Sequence, residues 1–177
     1  MRGQARLGEE KISKLLMEFS IPAIIGMVVN TLYNIVDRMY IGNIKDIGGL
    51  ALTGVGITMP IMTIIMAFGM LIGIGTSARI SLKLGEHKRE EAEKHLGNAF
   101  TLIIIASVLI TIIGLVFMHK ILGLFGASAD TEIYAREYMQ IIFFGTIFNM
   151  LSFGLNHSIR SDGSPKVAML SMLIGAG

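Results

Sequence analysis

No cysteine occurs in the 177 residues, which excludes thiol catalysis, thiolate metal sites and disulfides. Charge is scarce too: 16% of the residues are Asp, Glu, Lys or Arg, against about a quarter in a soluble domain. No Walker A sequence, no G-x-S-x-G and no H-E-x-x-H is present. No enzyme chemistry is therefore expected, and any pumping should draw on an ion gradient rather than on a nucleotide or another cofactor. The formal net charge of +2 comes from loops and gives no basis for a nucleic-acid partner. The amino terminus lacks a short apolar core with a small-residue cleavage pattern, so the first helix should stay as an anchor. Proline is confined to positions 22, 60 and 165.

What the chain has in abundance is apolar length. Hydrophobic residues make up 53%, and the mean hydropathy is +0.67. A helix needs roughly 20 mostly apolar residues to cross about 30 Å of hydrocarbon. The runs predict an all-α, polytopic transmembrane bundle with four full spans, at 19–41, 50–80, 96–118 and 138–159, and part of a fifth after Pro165. Pro22 falls in the opening turn of the first span, and Pro60 is a kink candidate inside the second. Residues 1–18 read as a cytoplasmic amphipathic lead-in carrying Arg2, Arg6, Lys11 and Lys14 against Glu9, Glu10 and Glu18. Residues 19–177 read as an incomplete amino-terminal transmembrane lobe. Twelve residues from Lys166 to Gly177 reach only about 18 Å, so a missing carboxy-terminal part of the same chain is an expected partner, beside membrane lipids.

Eleven of the lysines and arginines fall on one side of this topology and four on the other. The heavier side is read as cytoplasmic, with the amino terminus inside, in a multi-pass protein of the cell membrane. The charged stretch 85–94 is expected to form a short solvated helix with a Glu90–Lys94 pair, and 161–165 a turn. Gly69 and Gly73 have GxxxG spacing, which permits close helix contact.

Asp37 is the single acid inside the long apolar runs. An ionised group in hydrocarbon is expensive and by default marks an ion or substrate pathway. Asn30, Tyr33, Asn34, Asp37 and Tyr40 share one helical stripe, and such a face needs a bundle interior or a wet cavity. The spacing leaves a second reading open, an interfacial acid with Arg38 snorkelling beside it. On the fourth span Asn149, Ser152 and Asn156 form another stripe, suited to substrate contact or to plain interhelical hydrogen bonding. His157, with no partner at ligand spacing, reads as a packed residue. Met59, Met62, Met66 and Met70 read as core, a pattern also compatible with an adaptable apolar cavity.

Four stretches in order resemble the multidrug and toxic compound extrusion (MATE) transporters. They are Ser20-Ile21-Pro22-Ala23 with Thr31 to Asp37 (TLYNIVD), Leu50 to Gly56, the glycines at 69, 73, 75 and 85 with Thr76 and Ala92, and Arg160, Gly163, Ala168 and Met169. The resemblance covers about Lys14 to Gly177. It implies the first part of a twelve-span, two-lobe antiporter that exports cationic or amphipathic drug-like compounds in exchange for H⁺ or Na⁺. It further implies that Asp37 takes part in cation coupling, that Asn30, Tyr33 and Asn156 line the amino-lobe cavity, and that a second acid lies just beyond Gly177. With the stripe, this yields a cation-coupling group of Asp37, Asn34 and Tyr33, and a substrate cavity of Asn30, Asn149, Ser152 and Asn156. Ser164-Pro165 departs from the common turn, and Phe153 and His157 stand where polar or small residues are usual, so no substrate contact is carried onto those two. The rival readings are a lipid-linked oligosaccharide flippase, whose cavity needs several basic residues, and a non-transporting membrane scaffold.

Overall fold

A computed structural model describes residues 11–176, and no strand occurs among them. The helices are α1 (Ile12–Gly42), α2 (Gly48–Gly85), α3 (Arg89–Val116), α4 (Met118–Leu124), α5 (Ala129–Ser161) and α6 (Pro165–Ala176). Of these, α1, α2, α3 and α5 are long and apolar enough to cross a membrane. Arg2, Arg6, Glu9 and Glu10 of the expected lead-in lie outside the described residues.

Each long helix outruns its apolar run, α3 at its start only since it ends at Val116 rather than at 118, because the run reports only the part in hydrocarbon while polar helix formers continue the backbone into water. The first consequence concerns Pro22. It does not sit in an opening turn, since α1 already begins at Ile12, and it is buried well inside the helix. There its ring removes the backbone bond to the Glu18 carbonyl. A second correction concerns residues 85–94, which form no separate helix. α2 runs to Gly85, the chain turns through His87 in the left-handed region (φ 60°), and α3 starts at Arg89. Residues 89–94 are thus the first turns of a span.

The expected Glu90–Lys94 pair gives way to a different set. Arg89 pairs with Glu93 at 3.0 Å, and Lys83 reaches both Glu86 (3.1 Å) and Glu91 (2.8 Å) across the turn. Lys88 closes on Glu86 at 3.1 Å. Hydrogen bonds from Lys88 and then Lys83 hold the Glu86 carboxyl below its ordinary value of 4.5. A lowered folded value contributes stability above the unfolded value and loses it as pH falls through the folded one. Carboxyl-resolved NMR should therefore place the Glu86 midpoint below 4.5, and salt should raise it.

Packing centres on α2, α3 and α5. α2 and α5 run parallel along a seam of small residues. A Cβ at Gly54 would meet the Ala135 backbone at 3.0 Å, one at Gly69 would meet Met150 Cα at 3.4 Å, and one at Gly73 would meet Gly154 Cα at 2.8 Å. Ser77 and Ser161 hydrogen bond near the end of the seam. The GxxxG of α2 thus finds its partner on α5. α3 packs antiparallel to α5, with Gly114 against the Phe143 ring and Thr111 Oγ1 donating to the Phe143 carbonyl at 2.9 Å. Ile65, Ile103, Leu122, Met139, Phe143 and Met150 fill the core between these helices. Thr111→Val should lower thermal stability by about 0.6 kcal/mol, the usual worth of an interhelical bond in a membrane, as read from unfolding in detergent.

α5 starts where Ser128 ends the turn, its N–H donating to Thr131 Oγ1 at 3.0 Å, with Asp130 and Glu132 favouring the positive helix end. α1 packs chiefly on α6 and only lightly on α2, its neighbour in sequence. The gap this leaves beside α1 holds the site.

Candidate functional site

Two clefts open between α1 and the rest of the bundle. The first, about 300 Å³, is walled by α1, α2 and α5. The second, about 370 Å³, is walled by α1, α5 and α6. Asn30, Tyr33, Asn149 and Phe153 line both, so the two spaces adjoin.

Every residue singled out for the site lies on one of these walls. Asp37, Tyr33 and Asn34 line the first cleft. Ser152 and Asn156 line the second, and Asn30 and Asn149 belong to both. Tyr40 lines neither cleft and is 77% exposed. It lies only about 20° around the helix from Tyr33 but nearly two turns farther along, beside the end of α1 at Gly42.

Asp37 is half-buried, and no hydrogen bond or ion pair engages it among the described residues. An Asp37–Asn34 bond, natural from their spacing, is not formed. Asn34 Nδ2 donates instead to the Asn30 carbonyl at 2.7 Å, because side chains on a helix lean toward its amino terminus. The carboxylate is left open to the cleft, within electrostatic reach of the Tyr138 hydroxyl opposite. The same walls carry the phenols of Tyr33 and Tyr138, the amides of Asn30, Asn34 and Asn149, and the hydroxyls of Thr63 and Thr146.

Asn156 is placed differently from Asn149. It is buried, its Nδ2 donating to the Ala168 carbonyl at 2.9 Å and to Ser171 Oγ at 3.2 Å, while its Oδ1 accepts from Arg160 Nε at 3.1 Å. Its polar atoms tie α5 to α6, so the interhelical reading holds for it even though it borders the second cleft.

A family comparison decides the kinship. The MatE family model matches residues 22–177. The chain belongs to the MatE family. Relatives of this MatE chain include the multidrug export protein MepA of Staphylococcus haemolyticus, 31% identical over 171 residues, covering 96% of this chain and 37% of the relative. The chain therefore spans a little over a third of the length of the curated relatives it matches. Among solved structures, the MATE multidrug transporter DinF-BH in complex with R6G has 42% identity and a TM-score of 0.89, covering 99% of this chain and 39% of that one. An outward-facing multidrug resistance MATE transporter matches with 29% identity and a TM-score of 0.89 over 100% of this chain and 38% of that one. The MatE chain is thus a multi-pass helical membrane protein, and its relatives are multidrug efflux transporters.

Sequence reasoning missed part of the MatE cleft. Tyr138, Thr146 and Phe153 stand on the α5 wall; Met59, Met62 and Met66, whose pattern was also compatible with an apolar cavity, stand on the α2 wall. Tyr138, Ile142, Thr146, Asn149 and Phe153 follow steps of four, four, three and four, so a helical stripe running back from Asn149 was present to be read. Hydropathy hides it by starting the span at Tyr138, nine residues after α5 begins. The methionines looked like core because nothing local distinguishes a cavity wall from a packed face.

Proposed function

We propose that the full-length protein is a cation-coupled antiporter that exports cationic or amphipathic drug-like molecules in exchange for H⁺ or Na⁺. In this reading the chain supplies the first part of a twelve-span, two-lobe transporter in the cell membrane, with its amino terminus cytoplasmic. Asp37 holds the coupling cation with Tyr33 and Asn34 beside it. Asn30, Asn149, Ser152 and Asn156 border the substrate path.

The observation that carries the reading is an unpaired, half-buried carboxylate on a cleft wall among phenols and amides. Inside a membrane such a group is stable only with a proton or cation, so loading and unloading it is a natural source of coupling. The methionine wall opposite suits varied apolar bodies. Arg38 is the one basic residue lining either cleft among the described residues, poor provision for a pyrophosphate, which weighs against a lipid-linked oligosaccharide flippase.

The test is accumulation of a fluorescent amphipathic cation in cells with and without the full-length protein. Expressing cells should accumulate less, and an agent that collapses the ion gradients should erase the difference. Equal accumulation in both kinds of cell overturns the reading and favours a scaffold.

A further inference from the structure

On the side where α1 begins, the second cleft ends at Asn30, Asn156 and Ser171, the last lining residues of α1, α5 and α6 in that direction. One turn farther lie Gly26 on α1 and Arg160 on α5. A Cβ at Gly26 would lie 3.1 Å from Met172 Sδ, so the methionine fills the space that glycine leaves. Arg160 stands in the last turn of α5, and its side chain leans back into the bundle. Its Nε donates to Asn156 Oδ1 at 3.1 Å and its Nη2 to Met172 Sδ at 3.8 Å. The guanidinium is thus fixed directly behind residues that line the cleft.

Arg160 is half-buried, and both of its acceptors are neutral. Among the described residues no carboxylate pairs with it, and Asp162, the nearest acid along the chain, is exposed in the following turn. A guanidinium is charged at any working pH, so this end of the cleft carries a permanent positive charge. The carbonyl end of α5 offsets only about half of it. A methionine plug stops a bulky solute, whereas a small cation is stopped by an electrostatic barrier.

We propose that Arg160 is an electrostatic seal on the closed end of the second cleft, which keeps cations drawn to Asp37 from leaking through without exchange. A cation level with Asn156 stands one turn, about 6 Å, from the guanidinium. At an effective dielectric constant of about 20, a full charge there lowers its occupancy roughly a hundredfold, and a half-offset charge roughly tenfold. Asp37 lies about 16 Å along α1 from Gly26 and draws cations the other way. Arg38 beside it is exposed, so solvent screens its charge. The adjoining clefts therefore attract cations at one end and repel them at the other. The inference rests on the proposed transport role, and its test is chosen to fail separately.

The experiment uses the full-length protein in proteoliposomes without substrate. Entry of sodium and of protons down imposed gradients is measured, with entry of chloride and of glycerol in parallel. Arg160→Gln keeps a donor toward Asn156 and deletes the charge. It should pass cations about tenfold faster than the parent, with chloride and glycerol unchanged. Arg160→Lys restores the charge and should restore the seal. Ser171→Asp sets a carboxylate beside Asn156 and the guanidinium, and should leak cations like Arg160→Gln with the arginine in place. That variant decides the matter if Arg160→Gln fails to fold.

Parent-like cation entry in the charge-deleted and charge-neutralised variants overturns the seal. So does a leak in which chloride and glycerol rise with the cations, since loosened packing passes all of them. Substrate export, assayed on the same preparations, separates the two ideas. A parent that exports while Arg160→Gln leaks no faster leaves the antiporter standing and the seal fallen. A parent that exports nothing, with a cation-selective leak in Arg160→Gln, gives the converse.

Discussion

Asp37→Asn in the full-length protein should leave membrane insertion and thermal stability unchanged and remove gradient-driven export. The substitution keeps the shape of the side chain and deletes only its ionisation. No hydrogen bond or ion pair to Asp37 exists among the described residues, so the fold loses no contact, and the stability change should stay within about 0.5 kcal/mol. Coupling between two ligands is commonly worth about 1–3 kcal/mol, so export against a gradient should fall by about 5- to 150-fold. Any residual transport should no longer respond to the ion. The measurement is substrate flux into proteoliposomes under an imposed proton or sodium gradient. Tyr40→Phe is the internal control, because that phenol lines neither cleft and stands in the open. Unchanged flux with unchanged ion dependence in Asp37→Asn would remove the mechanism.

Gly73→Leu should prevent the bundle from assembling, whatever the state of the clefts. A Cβ at Gly73 meets Gly154 Cα and its carbonyl oxygen, both at 2.8 Å. These are backbone atoms of the facing helix, which cannot rotate away as a side-chain end does. Only separation of α2 from α5 makes room, and those helices share the most extensive contact in the bundle. Overpacking of a close-packed interior costs about 1–3 kcal/mol and occasionally more; here the larger value is expected, with Gly73→Ala at the lower end. Gly75→Ala, two residues on, meets nothing within 4 Å and should be neutral or stabilising by about 0.5–1 kcal/mol. Thermal aggregation of the detergent-solubilised protein, monitored by size-exclusion chromatography, compares the three. An unshifted midpoint in Gly73→Leu would show that the seam is not a tight crossing.

The residues that line the clefts were largely readable, and their arrangement was not. The 3.6-residue period alone puts Asn30, Tyr33, Asn34 and Asp37 on one face of α1 and aligns Asn149, Ser152 and Asn156 on α5. It does not say that Asn34 turns back to the Asn30 carbonyl, or that Asn156 is committed to Ala168, Ser171 and Arg160. Those outcomes depend on which acceptor lies nearest in three dimensions. The loop charges teach the same lesson: spacing favoured Glu90 with Lys94, while the turn through His87 carried Lys83 to Glu91. Pro22 was misplaced for another reason, since hydropathy marks where hydrocarbon begins rather than where a helix does.

By itself the sequence determined that this chain spans a membrane as helices, roughly where each span lies, and which faces carry polar groups. Those features follow from contact between each segment and its solvent, which is local. Tertiary structure alone decided that α2 lies parallel against α5, that α1 leans on α6 rather than on α2, and that the space left beside α1 is a pair of clefts with Asp37 on the wall. Between apolar helices in lipid, burial of hydrocarbon favours no particular partner, so the choice falls to shape and to a few hydrogen bonds between residues far apart in the chain.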